Sequence, residues 1–361
     1  MQVIREWFRR NLSDPQVVIL TAFLFVGTVV ILFMGRLLAP VLASVVIAYL
    51  LEGIVRTLES RRMPRGPAVT LVFSLFMAFL LVALFALLPM LTRQIVQVVQ
   101  QLPKMISWAQ MELMQLPERY PDFVSREQVV GLIDALYQEQ RQWASQVVSI
   151  SVASVRGLIT FVVYLVLMPL MVFFFLKDKS SIITWFSSLL PEDRRLTQEV
   201  WHEVDRQIGN YVRGKFWEIL IVWVVTTATF TYLGLDFAML IGFFVGLSVL
   251  IPYIGATVMT LPVALMGYFQ FGLSPDFFYI IGAYLVIQLL DGNLLAPLLL
   301  SGVVNLHPVA IIVAVLFFGG IWGFWGVFFA IPLATLVQAV LRAWPRKPRA
   351  PATGALTVPD G

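Results

Sequence analysis

Apolar segments long enough to be membrane helices alternate along this chain with short segments rich in arginine and lysine. A spanning helix needs roughly 20 apolar residues, and the first half offers Val17–Met34, Leu37–Leu51, Ala68–Met90 and Val147–Leu176. Arg36 separates the first two segments, so we interpret it as the turn between an outward and an inward span. The pattern predicts four spans before residue 177.

Residues 93–149 are too polar to span, because they contain five basic and six acidic residues. Their apolar positions nevertheless recur at helical spacing. These positions are Ile95, Val98, Val99, Leu102, Met105 and Ile106, followed by Val129, Val130, Ile133 and Leu136. We predict amphipathic helices on the outer side of the membrane, with apolar faces that lie against lipid, a neighbouring subunit or each other.

The stretch from Phe216 to Leu341 contains no lysine or arginine and is interrupted repeatedly by glycine and proline. The helix breaks that we expect are Pro252, Gly255, Gly292, Gly319, Gly320 and Pro332. Four full spans are the simplest count here, which gives about eight in the chain. Because residues 237–250 and 256–271 are each short for a full crossing, broken or re-entrant segments are the alternative. The predicted fold class is an all-α polytopic membrane protein.

Composition excludes a water-soluble domain. The chain of 361 residues is 59% hydrophobic and 13% charged, with a mean hydropathy of +0.86, whereas a soluble domain carries about 25% charged residues. The absence of cysteine excludes a disulfide scaffold. Of the 25 lysines and arginines, 18 fall in the blocks 1–16, 54–66, 177–215 and 342–349. Such blocks mark the cytoplasmic side, so we expect both termini there.

These patterns divide the chain into six regions. We expect N-terminal spans (1–92), outer amphipathic helices (93–149), a fourth span (150–176), a cytoplasmic segment (177–215), transport-like C-terminal helices (216–342) and a disordered cytoplasmic tail (343–361). No continuous basic stripe is present, which argues against a nucleic-acid partner. The lipid bilayer is the first partner that we expect.

The usual catalytic motifs give no support for an enzyme. Residues 209–216 follow the spacing of a phosphate-binding loop, but Phe216 replaces the residue that would hold magnesium, and no strand precedes the segment. We therefore expect no nucleotide partner. The two histidines, His202 and His307, cannot form a zinc hydrolase site, and we expect neither metal nor cofactor. Arg213 and Lys215 are predicted to anchor their helix at the lipid headgroups.

The acids between residues 216 and 341 are better candidates for function. Glu218, one turn beyond Arg213 and Lys215, is predicted to be an interfacial salt-bridge partner. Asp291 lies in the apolar run 284–300, where a carboxylate is expensive and usually faces a cavity or a partner. Burial disfavours its charged form, and a cation or hydrogen-bond donor favours it. A helix cap at Asp291 is the alternative. The predicted substrate or ion path consists of Asp291, Asn293, Gln288, His307, Asn305 and Tyr253.

Several segments taken together resemble the AI-2E transporter family. They are Pro169–Lys179, Tyr211–Lys215, Leu250–Ala256, Gln288–Leu295, Asn305–Pro308 and Gly323–Ala334. The resemblance implies a bacterial inner-membrane protein of about eight spans that forms a homo-oligomer. It implies a secondary transporter or permease that exports a small polar signal or metabolite, because members are described as exporters of the signal autoinducer-2. The alternatives are a sodium or lithium/proton antiporter and a non-transporting membrane scaffold or assembly factor.

Overall fold

All regular secondary structure in the described residues is helical. The computed structural model describes residues 15–119, 125–131, 133, 154–188, 195–252, 254–300 and 306–343, and within these ranges it contains no strand. The helices are α1 (Pro15–Ser60), α2 (Arg65–Val82), α3 (Leu88–Arg119), α4 (Ser154–Lys177), α5 (Lys179–Ser188), α6 (Arg195–Tyr232), α7 (Ala238–Ser248), α8 (Ile254–Phe271), α9 (Pro275–Leu290), α10 (Ala296–Leu299), α11 (Pro308–Trp322) and α12 (Phe324–Ala343). The π-helical turns Ala83–Leu87 and Asp291–Leu295 join α2 to α3 and α9 to α10.

Four helical stretches in the described ranges are long and apolar enough to cross a membrane. They are Leu38–Ser60, Arg65–Gln115, Ile254–Phe271 and Pro275–Leu299. Shorter apolar helices cover Val162–Lys177, Ala238–Ser248, Pro308–Trp322 and Trp325–Gln338. The all-α membrane class is therefore confirmed, whereas the count of eight spans stays a prediction.

The predicted turn at Arg36 is wrong. Residues 15–60 form one helix of 46 residues, which is about 69 Å long at 1.5 Å per residue. Arginine is a good helix former, and the proline that follows, Pro40, also lies inside the helix. At its middle, Ser44 is fully buried and donates hydrogen bonds to the carbonyls of Pro40 (2.7 Å) and Met168 (3.2 Å) on α4.

The predicted amphipathic segment begins inside a helix that continues from the preceding span. Residues 65–119 are helical throughout, so α3 extends α2 without a break. One face of α3 packs on the C-terminal helices: Met105 joins their core, Trp108 makes edge contacts with Tyr268 and Phe269, and Gln94 accepts a hydrogen bond from the backbone N–H of Leu240 (2.9 Å). Within the described residues, this face therefore packs on the chain's own C-terminal half.

One end of the helix bundle, which we name the basic end, is organised around the buried carboxylate of Glu52. Its oxygens pair with Arg65 (3.2 Å), Lys179 (3.1 Å) and Arg56 (3.4 Å). Arg65 also donates to the Leu176 carbonyl at the end of α4 (2.7 Å). This cluster ties together the ends of α1 and α4 and the starts of α2 and α5.

At the opposite end, which we name the far end (loops 233–237 and 272–274), α7 and α8 form a hairpin that enters and leaves on the same side. Gln270 donates to the Gly234 carbonyl (2.8 Å) and accepts from the N–H of Asp236 (2.7 Å), so both ends of the hairpin meet. Helix α7 has 11 residues and rises about 16 Å, roughly half of a hydrocarbon core of about 30 Å. This is the geometry of the re-entrant alternative.

The hairpin tip contains the predicted break at Pro252, which lies between α7 and α8. Gly255 lies in the first turn of α8 against the end of α7, where a Cβ atom would overlap the carbonyl oxygen of Ser248. A larger side chain at 255 is therefore incompatible with this close approach.

In a second hairpin, α11–α12, three of the predicted helix breaks are wrong. Gly319 and Gly320 lie inside α11, which ends at Trp322, and the turn is at Gly323, whose φ of +58° suits glycine. Pro332 lies inside α12, where its carbonyl accepts a hydrogen bond from Thr335 (2.8 Å). A helix tolerates each interior glycine at a cost of about 1 kcal/mol, which the packing of this hairpin outweighs.

Candidate ion-coupling site

A buried ion pair lies on α6 at the point where its apolar half begins. The Lys215 ammonium contacts both carboxylate oxygens of Glu218 at 2.9 Å, and both side chains are 3% exposed. The spacing of three residues places the two on one face of the helix. That face is buried along its length, and its members are Tyr211, Lys215, Glu218, Val222, Thr226 and Phe230.

The structure corrects the predicted role of Lys215. Its burial is incompatible with a headgroup anchor, which needs an ammonium in contact with water or lipid phosphate. A salt bridge of Glu218 at the membrane interface was predicted; its partner is Lys215, and the pair lies in the packed interior. Arg213, half-buried, donates to Asn210 (2.8 Å) and lies across Gly53 of α1.

Asp291 faces this ion pair from the π-helical turn that follows α9. It is 9% exposed, and its Oδ1 atom has no hydrogen-bond partner among the described residues. The residue opens the π-helical turn Asp291–Leu295, and it interacts electrostatically with both Glu218 and Lys215. Gly214 brings the backbones together, since a Cβ there would lie 2.6 Å from the carbonyl oxygen of Leu299.

The three charged groups lie deep in the bundle. Lys215 is 17 residues before the end of α6, which corresponds to about 26 Å, and Asp291 is 16 residues after the start of α9, about 24 Å. Both helices reach the far end, so the two residues lie at a similar depth. Isolated charges at such depth cost several kcal/mol unless they are paired, and Asp291 is the unpaired one.

Uncharged polar groups continue the site along α9. The Gln288 side chain, one turn before Asp291, has a buried Nε2 atom without a partner in the described ranges. It lines an open groove of about 520 Å³ between α8 and α9. Tyr284, one turn further, is fully buried and donates to the Ala256 carbonyl (2.6 Å). On α6, the buried Tyr211 hydroxyl also lacks a described partner.

Two other predicted path residues, Asn293 and His307, make local contacts of their own and none with Asp291. Asn293 is exposed and donates to the Leu289 carbonyl of its own helix (2.8 Å). His307 is exposed and caps α11, where its Nδ1 accepts from the N–H of Val309 (3.3 Å). Gly292 is exposed and lies inside the π-helical turn, which continues the helix, so the predicted break at Gly292 is wrong. Tyr253 and Asn305 lie outside the described residues.

These contacts define what the site can do chemically. The site holds two carboxylates and one ammonium, and the ammonium pairs with Glu218 only, so the described charges sum to one negative charge when all three groups are ionised. A proton or one monovalent cation at Asp291 would neutralise the remainder. No group of three or more potential metal ligands occurs among the described residues.

Comparison with known proteins agrees with this architecture. Residues 19–346 match the family described as "AI-2E family transporter". The chain belongs to the AI-2E transporter family. It is 44% identical to the "Putative permease PerM" of Escherichia coli (strain K12), over 96% of this chain and 98% of that protein. It is 26% identical to the "Putative transport protein YueF" of Bacillus subtilis (strain 168), over 90% of each. This AI-2E member is a multi-pass membrane protein.

Sequence reasoning missed several polar residues of this AI-2E chain. Glu52 lies just before the basic block 54–66. The basic residues of that block were considered, but Glu52 was not identified as the acid that they surround at the basic end. Tyr49 donates a 2.6 Å hydrogen bond to Asp205 on α6, a contact between residues that are 156 positions apart. One signal was available for Glu52: a lone acid at the end of a long apolar run, close to Arg56, Arg61, Arg62 and Arg65.

Proposed function

We propose that this chain is a secondary transporter of the inner membrane that exports a small polar signal or metabolite, with Asp291 as its coupling residue. The observation that carries the proposal is the burial of Asp291, with one oxygen unpartnered, beside the closed Lys215–Glu218 pair. An unpaired carboxylate in apolar surroundings is costly. It is retained where a proton or cation binds during the working cycle.

The two hairpins support the same proposal. Ile251, at the tip of α7–α8, packs on the cluster that α11 and α12 form with Tyr211 and Val212. Broken helices that meet near buried charges are typical of transporter binding sites. The tip of the α7–α8 hairpin lies beside Tyr211, which is on the α6 face that carries Lys215 and Glu218.

Sodium or lithium/proton antiport is the second candidate function. It is favoured by the composition of the site, in which the groups nearest to Asp291 are charged and one negative charge is left over. A non-transporting scaffold is the remaining alternative, and it would leave Asp291 without a coupling role.

The exporter is tested in inverted membrane vesicles that contain the protein. Energised vesicles are incubated with an extract of small polar metabolites, and mass spectrometry identifies the solutes that accumulate inside. We expect at least one solute to accumulate with the natural chain and to be lost with Asp291→Asn. The matched control is Asp276→Asn, the same substitution at an exposed position of the same helix, which should leave accumulation unchanged.

Antiport is tested in proteoliposomes that enclose a pH-sensitive dye. A sodium or lithium gradient should drive a luminal pH change that Asp291→Asn abolishes and Asp276→Asn retains. If Asp291→Asn retains the flux of the natural chain, Asp291 has no coupling role; if the natural chain itself shows no flux in either assay, the scaffold becomes the better account.

A further inference from the structure

Lys215 has an unusual position for a lysine in a membrane protein. Its ammonium is buried among apolar helices, and the Glu218 carboxylate is its one hydrogen-bonding partner in the described residues. A second carboxylate, that of Asp291, lies on the π-helical turn that packs against α6, close enough to Lys215 for the two charges to interact. One cation thus has two carboxylates within its field, and only one of them is engaged.

Among the described residues, α11, α12 and the first hairpin add no charged side chain to this set. On α1, which also packs on α6, Glu52 and Arg56 pair with each other at the basic end. Residues 308–341 of α11 and α12 contain no Asp, Glu, Lys or Arg, and neither do residues 237–271 of the first hairpin. The remaining titratable group that faces the cluster from α6 is the Tyr211 hydroxyl, which is buried and lacks a described partner. Tyr253, at the hairpin tip, lies outside the described residues.

The unequal pairing has an energetic consequence. With Lys215 on Glu218, a charged Asp291 is left uncompensated in a dry environment, which is strongly unfavourable. If a bound proton or cation leaves Asp291, the nearest positive charge that can replace it is the Lys215 ammonium. Its flexible four-carbon stem suits such an exchange better than a rigid guanidinium would.

We propose that Lys215 is a resident counter-ion that alternates between Glu218 and Asp291 and competes with the transported cation or proton for Asp291. This inference rests on the proposed coupling role of Asp291. When a proton or cation occupies Asp291, Lys215 pairs with Glu218. When Asp291 is empty, Lys215 shifts toward it. Glu218 is therefore a positioning residue that determines whether Asp291 is available.

The proposal makes Glu218→Gln a loss-of-function change that a second substitution repairs. In Glu218→Gln, Asp291 is the only carboxylate left for Lys215, so the site is neutral without cargo. We expect sodium-driven proton flux in proteoliposomes to fall about tenfold or more, because cargo must displace a buried ion pair. Lys215→Gln combined with Glu218→Gln restores one free carboxylate, and flux should return to within about threefold of the natural chain.

Thermal unfolding of the same purified variants gives a readout that does not depend on transport. Glu218→Gln should unfold at a moderately lower temperature, because Asp291 accepts the ammonium. Adding Asp291→Asn leaves the ammonium without any carboxylate, so the double variant should lose more stability than the two single changes sum to. In a Lys215→Gln background this excess should disappear. If the double variant fails to fold while both single variants fold, this counts as a large loss of stability beyond the sum of the single changes.

The outcomes separate the two proposals. If Asp291→Asn keeps normal flux, the coupling role fails and this inference with it. If Asp291→Asn abolishes flux but Glu218→Gln keeps it, only the alternating role of Lys215 is overturned. A combined Lys215→Gln and Glu218→Gln variant that is as inactive as Glu218→Gln also overturns it, because Glu218 would then itself be required for coupling.

Discussion

The N-terminal helices α1–α4 and the C-terminal helices α6–α12 bury their polar groups in different places. In the N-terminal region, ion pairs gather around Glu52 at the basic end, and only 6% of the most apolar stretch of residues 65–115 is buried. In the C-terminal region, Lys215, Glu218 and Asp291 are buried about 25 Å from the far end. The long exposed helix 65–115 suits a framework, whereas buried charges between packed helices suit an ion path.

Backbone contacts differ between the regions in the same way. In the C-terminal region, Gly214, Gly255 and Gly326 each lie where a Cβ atom would overlap or crowd a carbonyl oxygen of a neighbouring segment. In α2, Gly66 has no neighbouring atom within 4 Å of a Cβ position. The C-terminal helices are therefore in direct backbone contact, which holds the π-helical turn of Asp291 against α6.

The largest expected effect is that of alanine at Gly255 or Gly326. The added methyl group collides with the Ser248 or Phe318 carbonyl oxygen, and overpacking of this kind costs about 1–3 kcal/mol, occasionally more. Thermal unfolding in detergent should show a clear drop for both variants. Gly66→Ala is the matched control and should be neutral or slightly stabilising, because alanine favours a helix. Equal melting temperatures for all three variants would contradict the contrast in packing.

A smaller effect is expected from Glu52→Gln at the basic end. The carboxylate is buried, but its partners Arg56, Arg65 and Lys179 are 59%, 33% and 24% exposed and can be solvated. The loss should be close to the about 1 kcal/mol of an exposed pair and well below the about 3–5 kcal/mol of a fully buried one. Glu59→Gln, which removes one half-exposed partner of Arg65, should cost less. The pH profile of flux should not change in either variant, because both lie outside the coupling site.

The smallest effect is expected from single cysteines at the two ends of the bundle, which should leave stability unchanged and differ only in the side of the membrane from which they are labelled. The chain has no cysteine, so single cysteines at Arg61 and Leu273, both exposed, are labelled without background. A membrane-impermeant thiol reagent should reach position 61 only from the cytoplasmic side and position 273 only from the other side. Labelling of both positions from the same side would refute this orientation.

Local chemistry in the sequence predicted some features of the fold and site well. The all-α membrane class follows from hydropathy, the break at Pro252 from proline geometry, and a salt bridge of Glu218 from its place one turn beyond Arg213 and Lys215. The burial of the Lys215–Glu218 pair could not be predicted, because it depends on the docking of α10 against Gly214, some 85 positions away. Arg36, Gly319, Gly320 and Pro332 were misread as breaks, since each is tolerated inside a helix that packing stabilises.

Only some residues of the predicted substrate or ion path lie on one face with Asp291. Asp291 was identified by its isolation in an apolar run, and its burial agrees with that reasoning. Asn293 was grouped with it by proximity in sequence, but two residues along a helix turn a side chain by about 200°, to another face. Gln288 lies one turn before Asp291, a spacing that shares a face.

The central claim is that ion coupling belongs to Asp291 in the C-terminal region and not to the ionic cluster at the basic end. The most direct test is proton release from the purified protein when sodium is added in weakly buffered detergent solution, which needs neither a membrane nor a known substrate. The natural chain and Glu52→Gln should release protons, and Asp291→Asn should release none. Undiminished release from Asp291→Asn, or its loss in Glu52→Gln alone, would contradict the account.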